Sequence, residues 1–339
     1  MDTNQFQRIQ KDLLEKRENL LEWVETAPPE EKALRTGEPS AQPVQAHLQV
    51  IDHALQEIND GTLGVCDVCH MKVDTNLLEV DYNACVCLDH YTESERRQLE
   101  AELEFSQTIQ RALMPQQTPS PAGIDFYAYS RPAQIVSGDY FDFLKFADGT
   151  DGFAIADAVG HGVSAGLLMS SLQTALRLLV PDNTDPGKVL ERVNRLFLYN
   201  HNFTTFVTIF LARYDLATHT LTYASAGHNP PLLVRKAQGS AEHLLPTGPA
   251  VGLIDIYPPC SNSLTMNSGD LLVLYTDGVT EARDSNRGDF GLERLETLAL
   301  QNSAEPAFTV VQNIRLALED FLSGQPGQDD TTVVAARWL

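Results

Sequence analysis

The chain has 339 residues, of which 24 are Lys or Arg and 46 are Asp or Glu, for a formal charge of −22. That excess of acid argues against tight binding to nucleic-acid phosphates, which needs clustered basic residues. The length exceeds the usual single domain, and 43% hydrophobic content is enough for proper cores.

Helical patterns over Gln5 to Thr26 and Val44 to Asp60 flank Pro28-Pro29-Glu30-Glu31-Lys32-Ala33 and predict a helical hairpin. Next come two knuckles, Cys66-x2-Cys69 and Cys87-x2-His90, separated by seventeen residues. Zinc takes four N and S ligands in a tetrahedron, and each knuckle sets two ligands on one side of a tight turn. Cys66, Cys69, Cys87 and His90 are therefore the expected ligands of one structural Zn²⁺; Cys85 breaks the two-residue spacing. Thr92-Glu93-Ser94-Glu95 is a capping box, after which Leu99, Leu103, Ile109, Ala112 and Leu113 recur at helical spacing until Pro115. This predicts one amphipathic linker helix whose apolar stripe either packs on the following domain or serves dimerisation and switching.

From Gly123 onward, strands are predicted over Phe126 to Ser130, Gly138 to Phe143, Phe153 to Asp157, Thr205 to Tyr214, Thr220 to Ala226, Leu232 to Arg235, Asp270 to Tyr275 and Thr332 to Arg337. Helices are predicted over Val163 to Val180, Pro186 to Asn200 and Pro306 to Leu322, the second opened by an Asp185-Pro186 cap. The expected class is α+β, two antiparallel sheets sandwiched by helices, preceded by the hairpin and a small zinc finger. The expected domains are 1–92, a linker 93–118 and 119–339. No signal peptide and no apolar run of membrane-spanning length is expected, which places the chain in the cytoplasm, away from membranes.

Four acidic segments carry the chemistry: Ser137-Gly138-Asp139, Ala156-Asp157-Ala158 with Gly160-His161-Gly162, Tyr275-Thr276-Asp277-Gly278, and Gln328-Asp329-Asp330-Thr331. Any one Asp-Gly pair by itself is turn chemistry. Asp157 and Asp277, however, end apolar runs, at the mouths of buried strands where carboxylates meet. Converging hard oxygen ligands suit Mg²⁺ or Mn²⁺.

In that order, with Ile109 to Pro115, the block Ile155 to Ser170, Ala226 to Pro231, the run Gly269 to Ala282 and Phe290-Gly291, the segments resemble the metal-dependent type 2C (PPM) protein serine phosphatases of the subclass typified by SpoIIE and RsbU. The resemblance covers about residues 105 to 339, with Ser137 and Ala158 as departures from the usual pattern. It implies two Mn²⁺ or Mg²⁺ ions held by Asp139, Asp157 (bridging), the backbone carbonyl of Ala158, Asp277 and Asp329, with Asp330 as an additional member. It also implies a phosphoserine protein substrate, namely an anti-sigma-factor antagonist. His161 is the candidate for donating a proton to the departing serine oxygen, with a phosphate-orienting cation or a helix-start residue as the alternatives. His228 and Asn229 lie in a turn with a weaker claim on the substrate, and Asp142 reads as structural.

Around the knuckles, Ile51 to Cys69 and the preceding helical pattern resemble the zinc-finger domain of the DksA/TraR family, which acts on RNA polymerase. The family's acidic tip pattern is absent here, which puts RNA polymerase binding in doubt. A transcription regulator or scaffold with an inactive phosphatase fold is the alternative reading; retention of Asp139, Asp157, Asp277 and Asp329 speaks against it.

Overall fold

The structure is a computed structural model that describes residues 42–66, 69–71, 93–115, 122–133, 135–160, 162–200, 206–253, 260–284, 288–324, 327 and 329–339, with residues 10, 13, 14, 17 and 21. The chain divides into two compact units, one comprising Met1–Glu102 with Tyr199–Thr204 and the other Leu103–Leu198 with Thr205–Leu339. In the first unit α1 (Gln42–Asp60) buries Leu48, Ile51 and Ala54, and Arg17 pairs with Asp52 at 2.5 Å. The turn after it buries Cys66, whose carbonyl accepts from His70 N and whose N–H donates to Met71 O, both at 2.8 Å. His70 takes a left-handed conformation there, as a tight knuckle requires. Cys85, Cys87, His90, Thr92 and most of the predicted hairpin lie outside the described residues.

In the second unit the apolar runs form two five-stranded antiparallel sheets. One has the order β1 (Ile124–Arg131), β10 (Thr331–Trp338), β9 (Leu271–Tyr275), β6 (Leu232–Arg235), β7 (Ser240–His243). The other runs β2 (Asp139–Lys145), β3 (Asp151–Ala158), β4 (Val207–Asp215), β5 (Thr220–Ala226), β8 (Asn262–Thr265). The sheets face each other across a core of Phe126, Phe153, Phe210, Tyr223, Leu272 and Val334. The Phe126–Phe153 and Phe210–Tyr223 ring pairs, both at 5.1 Å, each add about 1 kcal/mol beyond burial. Against the outer faces pack α3 (Val163–Leu179) and α4 (Pro186–Asn200) on one side, and α6 (Leu292–Gln301) and α7 (Ala307–Leu322) on the other. A four-residue α5 (Asp277–Thr280) follows β9. With both faces covered, β3 and β9 read as continuous apolar runs rather than alternating ones.

The predicted class holds for this unit, and the predicted strands and helices are found within a few residues of their expected ends. Ser240–His243, Asn262–Thr265 and Leu292–Gln301 were not foreseen: the two strands are short, polar sheet edges without an apolar signal. Asp185 caps α4 through Gly187 N at 3.0 Å, as expected. Against expectation, the stretch Val163–Asp182 is long and apolar enough to cross a membrane by composition. Its Leu168, Met169, Leu172 and Leu176 are buried against the sheet, so the apolarity is that of a core helix.

The linker helix α2 (Glu93–Leu113) forms as predicted. Within the second unit a glutamine face of it is hydrogen-bonded to the loop before β2. Gln107 donates to Ile135 O at 3.0 Å, and the Gln110 carboxamide accepts from Ser137 N at 2.9 Å and donates to Ser137 O at 2.6 Å. Its end is capped by α3, where Gln173 and Arg177 both donate to Leu113 O, and Arg177 is held by the buried Asp142 at 2.9 Å. Of the predicted stripe, Leu103 is half-buried while Ile109 and Leu113 are exposed at 46% and 36%; Phe105, outside that stripe, is exposed at 66%.

Candidate metal centre

Strand direction brings the acidic segments to one end of the sandwich. Asp139 opens β2 and stands opposite Asp157 near the end of β3. On the facing sheet, β9 ends at Tyr275 and releases Thr276 and Asp277, while its antiparallel neighbour β10 is entered through Asp329 and Asp330. The sheets are tied there by a hydrogen bond of 2.8 Å from Thr276 Oγ1 to Asp139 Oδ2. Thr276 Oγ1 in turn accepts from Thr332 N at 3.0 Å.

The carboxylates feel one another. Burial pushes the Asp139 carboxyl up to about 8, opposed by hydrogen bonds from Thr332 and Thr276 and reinforced by the charges of Asp330 and Asp277. Asp157 is pushed up to about 9 by burial and then by Asp139, Asp277, Asp329 and Asp330. Asp277 rises to about 6, again through burial first and Asp329 and Glu281 next. Among the described residues no Lys or Arg pairs with Asp139, Asp157 or Asp277. The side chains are gathered without forming a cage: among the described residues no three form a closed set of metal ligands. In donor chemistry the set fits hard divalent cations, which take carboxylate and carbonyl oxygen. A methyl group on Gly138 would stand 3.4 Å from Ala158 O and 3.3 Å from Gly160 O, so these carbonyls line the same end of the sandwich.

Asp330 behaves differently from its neighbour. Its carboxylate accepts from Ala133 N at 2.6 Å and from Gly138 N at 2.5 Å. Asp142 is tied to Arg177 and to Tyr140 Oη at 2.7 Å, away from the cluster. His161 lies outside the described residues; the helix it precedes packs its first turn against Val136, Ser137 and Gly138.

Sequence reasoning did not single out three threonines. Thr276 and Thr332 orient Asp139. Thr208, opposite Asp157 on β4, contacts Asp157 O at 3.4 Å and His228 Nδ1 at 3.0 Å. The signal for Thr208 and Thr332 was a polar side chain inside an apolar strand; Thr276 directly follows one. His228 is 1% exposed, and burial pushes its imidazole down to about 3, with the Tyr275 backbone pulling weakly the other way. It is thus a neutral support behind Asp157 with no face toward a substrate.

Residues 147–339 match the family described as Stage II sporulation protein E (SpoIIE). The chain belongs to this family. Phosphoserine phosphatase RsbU of Bacillus subtilis (strain 168) is 32% identical over 245 residues, covering 71% of this chain and 71% of RsbU. Among solved structures, the SiaA-PP2C domain of Pseudomonas aeruginosa covers 73% of this chain and 100% of its own, with a TM-score of 0.64 at 20% identity. RsbX in complex with magnesium covers 66% and 99%, with a TM-score of 0.51 at 17% identity. At those identities the two structures carry the fold alone. Membership in the family makes this chain a protein serine/threonine phosphatase.

Proposed function

We propose that this phosphatase removes the phosphoryl group from phosphoserine in a protein that regulates a sigma factor, an anti-sigma-factor antagonist, using two Mg²⁺ or Mn²⁺ ions. The observation that carries the reading is the convergence of Asp139, Asp157, Asp277 and Asp329 at one end of the sandwich, with Asp139 and Asp157 register partners. Asp139, Asp157, the Ala158 carbonyl, Asp277 and Asp329 would hold the ions. When bound, such ions supply Lewis acidity to the phosphoryl oxygens and lower the pKa of a water nucleophile.

The chain's own residues hold this arrangement. Thr276 and Thr332 hold the Asp139 carboxylate by hydrogen bonds from the facing sheet, and the Thr208–His228 pair lies beside Asp157 on the neighbouring strand. His161 would protonate the departing serine oxygen as its bond to phosphorus breaks and the water oxygen bonds to phosphorus. The likeness to phosphoserine phosphatase RsbU supports phosphoserine as the substrate, and the carboxylate and carbonyl donors support a hard divalent ion.

Residues 1–92 form, in this reading, a DksA/TraR-like hairpin with one structural zinc on Cys66, Cys69, Cys87 and His90, regulating a phosphatase domain at 119–339 through the linker 93–118. The buried Cys66 in its knuckle turn supports that assignment. The exposed row Phe105, Ile109 and Leu113 supports a homodimer contact through α2. The protein is cytoplasmic in this reading.

The test is phosphate release from a phosphoserine protein or peptide by the full chain, with Mn²⁺, with Mg²⁺ and with chelator. Release that needs one of these ions and is lost in Asp157→Asn is expected. Hydrolysis indifferent to chelation would overturn the metal assignment.

A further inference from the structure

We infer that Asp330 is a positioning residue that holds Asp139 in place through the backbone of the β1–β2 loop, and is not itself an ion ligand. The inference rests on the two-ion reading of the site.

Asp330 is only 3% exposed, and each of its carboxylate oxygens accepts a main-chain hydrogen bond. Oδ1 takes Ala133 N at 2.6 Å and Oδ2 takes Gly138 N at 2.5 Å. The two donors are five positions apart, so one side chain from the start of β10 closes the loop that runs into β2. Gly138 is the residue directly before Asp139. Its amide N–H is held by Asp330 and its carbonyl accepts from Ala158 N at 3.1 Å. Gly138 is thereby held from both sheets at once, its N–H by Asp330 and its carbonyl by β3, and the direction in which the chain enters Asp139 is fixed with it.

The chemistry requires a carboxylate. Two inward N–H donors need two acceptor oxygens, which an ionised Asp supplies; an Asn supplies one oxygen and turns its NH₂ toward the other donor. With one donor on each oxygen, the plane of the carboxylate is set by the loop backbone. Asp329 Oδ1 accepts the adjacent Asp330 N at 2.8 Å, and consecutive residues entering a strand point to opposite sides, so the Asp329 side chain leaves the backbone away from the one that holds the loop. The Asp329-Asp330 pair thus divides its work between ion and loop.

The test compares Asp330→Asn with Asp329→Asn in the full-length protein. The Mn²⁺ concentration for half-maximal activity and kcat at saturating Mn²⁺ are measured, along with hydrogen exchange of the Ala133 and Gly138 amides in chelator. For Asp330→Asn, both amides should exchange at least about tenfold faster while β4 amides stay protected. The Mn²⁺ requirement should rise about 10- to 100-fold, the range for residues that orient a ligand, and kcat should recover at saturation. For Asp329→Asn, kcat should stay low at every Mn²⁺ concentration. An Asp330→Asn enzyme as inactive at saturation as Asp329→Asn, with Gly138 still protected, would make Asp330 a ligand and overturn the inference. So would unchanged amide exchange and Mn²⁺ requirement. If Asp330→Asn does not fold, Ala133→Pro removes one donor while keeping the carboxylate, and it should raise the Mn²⁺ requirement in the same way; no rise there would also overturn it. A wild-type enzyme indifferent to Mn²⁺ would refute the two-ion reading instead, and the amide exchange in chelator would still decide the role of Asp330.

Discussion

A methyl group placed on Gly278 would stand 1.9 Å from the carbonyl oxygen of Asp330. The turn that carries Asp277 therefore lies directly on the backbone that carries Asp329 and Asp330, and only a residue without a side chain permits that approach. An ordinary contact needs more than an ångström of extra room, which Gly278→Ala can gain only by moving Asp277 away from Asp329. Displacement on that scale in a catalytic site costs about 100-fold in rate. The expected result is a loss of kcat/KM of that order with a raised Mn²⁺ requirement and a lower melting temperature. Activity and stability both equal to wild type would show that the turn has slack the structure does not display.

The raised carboxyl groups make a second prediction about pH. Asp139, Asp157 and Asp277 have folded-state values of about 8, 9 and 6, above the ordinary value near 4 of an unfolded chain. A carboxyl group raised on folding contributes stability that is fully present below the unfolded value and is lost as pH rises through the folded one. In chelator, the melting temperature should accordingly fall between about pH 4 and pH 9. Saturating Mg²⁺ should reverse the trend at the alkaline end, because the ions bind the ionised forms. Asp157→Asn removes one of the repelling charges, so in chelator at pH 8 it should melt higher than wild type while being nearly inactive. Calorimetry across pH, with and without ion, reads all three effects; a chelated protein whose stability rises toward pH 9 would contradict the electrostatics described.

The elements nearest the site were legible because their sequences were consistent at two levels. Leu271 to Tyr275 reads as a strand by its apolar run and is buried on both faces, and Asp277 follows where the strand leaves the core. The acidic residues themselves could be located, but not their division of labour. Nothing in Asp329-Asp330 says which carboxylate meets backbone amides, since that depends on Ala133 and Gly138 almost two hundred positions away. What fastens the linker helix was not legible for a related reason. Periodicity finds an apolar stripe, whereas Gln107 and Gln110 anchor the helix through hydrogen bonds that carry no hydrophobic signal.

For the first unit, the knuckle at Cys66 and Cys69 predicts about one zinc per chain by elemental analysis. Cys66→Ser with Cys69→Ser should abolish it and unfold that unit, because structural zinc sites supply folding free energy directly. Manganese-dependent hydrolysis should survive in the double variant at saturating ion, since thiolates and carboxylates select different metals. Zinc content unaffected by the substitutions would remove both cysteines from the ligand set.

The last prediction concerns how α2 acts on the site. The Gln110 carboxamide grips both backbone groups of Ser137, two residues before Asp139, and Ser137 Oγ accepts from Asp139 N at 3.1 Å. Any shift of the helix is thereby passed to the loop that aims Asp139, whereas Phe105, Ile109 and Leu113 face outward. Coupling needs contacts that differ between two states, and the glutamine face has contacts beside the site to lose. Gln110→Ala should therefore change the Mn²⁺ requirement or turnover of the full-length protein by several-fold, the size of a coupling of about 1 kcal/mol. Gln110→Glu should do the same, because a carboxylate accepts from Ser137 N but cannot donate to Ser137 O. Replacing Phe105 and Ile109 with Ala should leave the basal kinetics in place and instead weaken self-association measured by sedimentation. If the apolar pair alters basal turnover in a stably folded protein and Gln110 does not, control runs through the exposed stripe and the glutamine clamp is only a fastening.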